Sequence, residues 1–170
     1  MKGLLLMLIL STSFLITDAQ EITQKSRKQS KEEKQAQQIK KVKELIESKN
    51  FVFSARKAVP VCGDPVSLEN LYLIKVDNGF TKSYLPFYGF ETDYVIENSP
   101  LDFTKPYKGY TIKNENNKYI INFIVPDEND NMKFYLRISE LGYAYLKITS
   151  SKRQCISFQG MIEDVKPTVF

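Results

Sequence analysis

"MKFYLRISELGYAYLKITSSKRQCISFQGMI", residues Met132 to Ile162, decides the fold. Its apolar residues recur at every second position in three successive runs. Phe134, Leu136 and Ile138 alternate with Lys133, Tyr135 and Arg137. Ala144, Leu146 and Ile148 form the second set, and Ile156, Phe158 and Ile162 the third. A period of two places each set on one face of an extended strand, turned toward a core. The runs are joined by "ELG" and "SSK", turns short enough to make the strands antiparallel neighbours.

Working toward the N-terminus, the same period continues. "KYIINFIV" is a strand, separated from Met132 by the polar turn "PDENDN" and from an earlier strand, "KGYTIK", by "NENN". Glu91 to Tyr107 holds Pro100 and Pro106 among polar residues and reads as a long loop. "FTKSYL" and "ENLYLIKV" flank Asp77-Asn78-Gly79, a strong hairpin signal because Asn and Gly tolerate positive φ. Phe51, Phe53 and Ala55 open the first strand, which Pro60 and "CGDP" end. The sum is eight strands over residues 51–165, a mainly β domain. Tight turns throughout predict an antiparallel meander, and closure into a small lipocalin-like barrel removes exposed edges. The first strand then pairs with the eighth. Barrels of this size are filled by side chains or hold one ligand, and the pattern leaves both open.

Ahead of the barrel, Ile39, Val42, Leu45 and Ile46 recur at helical spacing, predicting an amphipathic helix over 35–50. Residues 20–34 are polar and read as a flexible lead-in. Residues 1–19 read as a secretory signal: Lys2, an apolar run from Leu4 to Ile16, then Thr17 and Ala19 before cleavage ahead of Gln20. The first cysteine is Cys62, so the cleavage point lacks a lipid-anchor cysteine. The expected location is periplasmic or secreted, with no membrane span after cleavage.

The net charge of +4 is uneven. Gln20 to Asn50 carries nine Lys/Arg against five Asp/Glu, while Phe51 onward carries fourteen of each. A nucleic-acid partner calls for positive charge on the folded face, so none is expected. The chain has no histidine, which removes the usual general base and activator of Ser or Cys nucleophiles. With only two cysteines it also falls short of a four-ligand structural zinc site. No cofactor and no metal are expected. The acidic turn from Asp127 to Asp130 lacks the twelve-residue calcium-loop pattern and reads as a solvated turn.

Cys62 follows the first predicted strand and Cys155 starts the eighth. Barrel closure brings these ends together, and in an exported chain the two are expected to form a disulfide. By parity both point away from the core if no bulge intervenes, and Pro60 is a position that can introduce one. A bridge closing so long a loop contributes about 4 kcal/mol in the chain-entropy model.

"SYLPFYGF", Ser83 to Phe90, has two readings. Pro86 stops regular pairing and Gly89 permits a tight turn, which makes a rigid corner with Leu85 and Phe87 packed inward. In the other reading Tyr84, Phe87, Tyr88 and Phe90 form a ligand-binding lip. Arg153 either caps the barrel end or binds an anion. Tyr135, Tyr143 and Tyr145 point outward on neighbouring strands, either as cross-strand packing or as a surface for a partner or carbohydrate.

A helix leading into "FVFSA", then "SYLPFYGF", then "LGYAYLKITSSKRQCISFQGMI" resembles the bacterial family called domain of unknown function 4251. Its most specific pieces are "YLPFYG" and the closing pattern of Gly142, Arg153, Ser157 and Gly160. The resemblance implies an exported protein of Bacteroides-type bacteria with a small β-barrel behind an N-terminal helix, and it implies no catalytic residue. The expected role is a non-catalytic binding module for a small apolar ligand or an envelope protein. The alternatives are an enzyme using carboxylate or Tyr residues, or a purely structural envelope protein.

Overall fold

The computed structural model describes residues 14–89, 101–127 and 130–165. The chain divides into two compact units, Met1–Gln37 and Gln38–Phe170. Helix α1 spans Phe14–Ser48. Its bounds differ from the expected lead-in over 20–34 and helix over 35–50. Lys, Gln, Glu, Arg and Ala fill that polar stretch, and all are good helix formers; their polarity argues against burial, not against helix. Of the expected signal, residues 1–13 lie outside the described residues and 14–19 open the helix. Among the described residues no helix is long and apolar enough to cross a membrane.

Within the second unit, the apolar stripe is a packing face. Val42 and Ile46 are fully buried in the core, and Leu45 packs beside them. Gln38 donates a hydrogen bond to the carbonyl of Leu141. Lys49 ends the helix in the left-handed region, φ 54°, with its N–H on the Ile46 carbonyl.

Nine antiparallel strands follow: β1 Asn50–Pro60, β2 Val66–Asp77, β3 Phe80–Leu85, β4 Leu101–Pro106, β5 Lys108–Glu115, β6 Lys118–Asp127, β7 Asp130–Ser139, β8 Tyr143–Thr149 and β9 Ile156–Glu163. They form one sheet in the order β4-β3-β2-β1-β9-β8-β7-β6-β5, curled into a half-barrel. The mainly β, antiparallel reading holds, and so does the pairing of the first strand with the last. The inward sets at Phe134, Ala144 and Ile156 are buried as their alternation requires.

Two features depart from the eight-strand expectation. The stretch read as a loop contains β4, which pairs with β3 from Leu101↔Leu85 to Pro106↔Phe80. Proline is tolerated there because β4 is an edge strand whose outer side needs no donor. Only Tyr107 separates β4 from β5, yet the two occupy opposite edges of the sheet. One run of chain therefore pairs β3 with its first half and β6 with its second. The ladder to β6 shifts between Lys108 and Thr111, where Gly109 sits at φ 63°. The Tyr107 N–H donates to the Gly79 carbonyl at 3.0 Å, and the Gly79 N–H donates to the Tyr107 hydroxyl at 2.9 Å. Lys105 of β4 reaches Asp127 of β6 at 2.6 Å.

The second departure is a β-bulge in β1. Register shifts between Ala55 and Lys57 on both sides of the strand: against β9 Arg56 is extra, and against β2 it faces the four residues Leu68 to Leu71. At Gly160, opposite Ala55, a Cβ would collide with the Ser54 carbonyl oxygen and lie 2.9 Å from its carbon. Only glycine fits under the bulge.

The interior is occupied by side chains. Phe51, Phe53, Phe87, Phe123, Phe134 and Phe158 are each no more than 1 % exposed. Phe123 stacks on Phe134 at 4.9 Å between centroids, and Phe103 of β4 meets Phe134 edge-on at 6.3 Å. Aromatic packing thus joins an edge strand to β7.

Candidate functional site

At the corner after β3, the structure separates residues that the sequence grouped. Leu85 and Phe87 are buried, as the corner reading requires. The Arg153 guanidinium carbon lies 5.4 Å from the centre of the Phe87 ring. Gly89 is tightly placed: a Cβ there would lie 3.0 Å from the Phe87 ring and 3.2 Å from the Gln154 side-chain oxygen. Tyr88 is half-buried against the core. Tyr84 is 46 % exposed and stacks on Tyr72, with centroids 5.5 Å apart. Phe90 lies outside the described residues. Phe87 and Arg153 thus come together as a covered core aromatic, while Tyr84 points elsewhere.

The thiols of Cys62 and Cys155 are both free in this structure. The bulge at Arg56 inverts the parity of β1 beyond it, which buries Ala58, but β1 ends at Pro60; Cys62 beyond it is exposed and Cys155 is half-buried. The ladder ends at Pro60↔Ile156. Extending that register sets Cys62 opposite Gln154 and Cys155 opposite Val61, one step out of direct opposition.

The acidic turn is divided between two partners. Asp127 bonds to Lys105. Asp130 accepts hydrogen bonds from the hydroxyls of Ser150 and Ser151 and from the N–H groups of Ser151 and Asn131. Burial pushes its carboxyl up, but these bonds outweigh burial and hold it below its ordinary value. Asp130 therefore ties the start of β7 to the β8–β9 connection.

Two buried hydroxyls, of Ser83 and Tyr110, have no hydrogen-bond partner among the described residues. Burial, followed by the neighbouring Tyr107, raises the Tyr110 pKa far above the usual tyrosine value. Its ring packs on Tyr107 and Phe123, with the Lys49 ammonium 5.4 Å away.

The outer face of β6 to β9 holds an open groove of about 340 Å³. Ladder pairs Arg137↔Tyr145 and Tyr145↔Gln159 set three of its residues in one row across three strands. Tyr143, 62 % exposed, and Lys118, at the start of β6, complete it. Arg137 lies over the Tyr145 ring at 5.6 Å, and the Tyr145 hydroxyl donates to Ser157 at 2.7 Å. Ala144 and Gly160, both small, also line it. The lining has two cations and no carboxylate. The outward tyrosines were legible from alternation. Lys118 and Gln159 were not, because their approach depends on register across four strands.

A family model described as "Domain of unknown function (DUF4251)" matches residues 33–162. No curated protein matches. Among solved structures, the chain is similar to the crystal structure of a DUF4251 family protein from Bacteroides eggerthii. The TM-score is 0.62 at 11% identity, covering 76% of this chain and 91% of that one. At that identity the likeness concerns the fold.

Proposed function

The chain belongs to this DUF4251 family, and from that premise we propose that it is an exported, non-catalytic binding module that meets an envelope partner through the outer groove of its sheet. One contrast carries the reading: large side chains fill the interior, while an aromatic and cationic surface stays open outside. A small apolar ligand would have to occupy the space that the Phe123, Phe134 and Phe103 rings already take. Two carboxylates of the acidic turn are engaged by neighbours, Asp127 by Lys105 and Asp130 by two serines. Export rests on Lys2, the apolar run to Ile16 and the small residues before Gln20. In an oxidising compartment the Cys62 and Cys155 thiols would be joined.

The experiment compares retention of the wild type and the double variant Arg137→Gln/Tyr143→Ala on immobilised envelope material from the producing cell. Loss of retention in the variant, at unchanged thermal stability, supports the groove. Equal retention of the two proteins removes the groove from the reading.

A further inference from the structure

The groove's chemistry narrows its ligand. Arg137 and Lys118 are exposed, and neither takes part in an ion pair among the described residues. Two uncompensated cations beside one groove favour an anion. Arg137 is also positioned before any ligand arrives. Its guanidinium lies over Tyr145, and Tyr145 is anchored through its hydroxyl to Ser157. A guanidinium held beside a ring still has N–H groups to offer a planar acceptor, and a carboxylate matches that fork. Groups held by sheet and stacking in this way bind at low ordering cost.

A second set of contacts is neutral. Tyr143 offers a ring that is mostly exposed, together with a hydroxyl. Ser139 accepts a hydrogen bond from the Tyr143 N–H and keeps its own O–H to donate. Gln159 adds an amide with donors and an acceptor. Closely spaced donors and acceptors beside an aromatic face suit a ring bearing hydroxyls on its rim and C–H groups on its face. A volume of about 340 Å³ falls within the range of small-ligand sites. An acidic peptide fits less well. It would gain most by adding a strand, and the backbone here is already paired on both sides through β7 and β8.

We infer that the groove binds an acidic sugar, with the carboxylate of a uronic acid between Arg137 and Lys118 and its pyranose face on Tyr143. This rests on the groove being the binding surface.

The test is an amide chemical-shift titration of the mature protein at 0.15 M salt. The probes are disaccharides of galacturonate, glucuronate and mannuronate, their carboxyl-reduced neutral forms, and an acidic tetrapeptide. The expected result is that at least one uronate shifts the amides of Arg137, Tyr145 and Gln159. Its neutral form should bind at least tenfold more weakly, as should Arg137→Gln with the uronate. Tyr143→Ala should weaken the uronate and its neutral form alike. Thermal melts of both variants should match the wild type, and Lys118→Gln gives a second test should Arg137→Gln fail to fold. Groove shifts as strong with the neutral sugars or the peptide overturn the acidic-sugar assignment and leave the binding surface standing. Shifts confined to other parts of the sheet overturn both. No shift with any uronate overturns the assignment alone.

Discussion

The guanidinium of Arg153 lies over the ring of Phe87, 5.4 Å from its centre, so a cation from the β8–β9 connection covers an aromatic buried at the corner after β3. Phe87→Ala removes a ring that is 1 % exposed and is expected to cost about 3–5 kcal/mol. Tyr88→Ala, at a half-buried site, should cost much less. Urea denaturation of the two variants decides it. An unchanged midpoint for Phe87→Ala would return the corner to the ligand-lip reading.

Gly160→Ala places a methyl group against the Ser54 carbonyl under the bulge. Backbone cannot move aside as a flexible side chain can, and the expected cost is about 1–3 kcal/mol or more. Gly63→Ala is the control: it has open space but a φ of 100°, so its cost is backbone strain alone. A Gly160→Ala protein as stable as wild type would mean that β1 can flatten its bulge.

Asp130 makes stability depend on pH in a defined direction. Its folded carboxyl is held below the ordinary value of 3.8. The group therefore contributes stability that is present above 3.8 and lost as pH falls through its lower folded value. Wild type should exceed Asp130→Asn by a constant margin from pH 5 to 8, and the margin should shrink on acidification below about 4. A margin independent of pH would show that the serine contacts act without the charge.

Tyr110→Phe deletes a buried hydroxyl that has no partner among the described residues. Removing such a group is expected to be neutral or to stabilise by about 1 kcal/mol, as measured by thermal melting. A loss of more than that would reveal a partner for the hydroxyl in solution.

Thiol labelling under denaturing, non-reducing conditions tests the cysteine pair. Beyond Pro60↔Ile156 no ladder bond holds the register, so a one-step offset between Cys62 and Cys155 is within reach of loop movement. Mature exported protein should label at neither cysteine. Labelling at both would show that the two thiols stay apart.

Alternation made the sheet legible where one face is apolar and the other polar, as at Phe134, Leu136 and Ile138. Asn116 and Asn117, both left-handed at φ 51° and 60°, form the turn their residue types announce. β4 was hidden because Pro100 and Pro106 bracket it, and proline argues against a strand unless the strand is known to be an edge. The bulge left no local mark, since Arg56 continues a plausible alternation and its counterpart, Gly160, lies far away in sequence. Tyr143 and Tyr145 were placed outward correctly. Their grouping with Lys118 and Gln159 depends on four strands settling into one register, which no window of sequence contains.

The pairing of β1 with β9 also sets a schedule. During synthesis, Phe51 to Ala55, which the finished protein buries on both faces, emerges long before the strand that will complete its second side. Until Ile156 to Glu163 has been made, the middle of the sheet has a vacancy, and β8 has nothing to join to β1. Such a chain cannot close early around a partial product, because the keystone arrives last. The hairpins on either side can pair earlier, but the two halves of the sheet are joined only when β9 is in place.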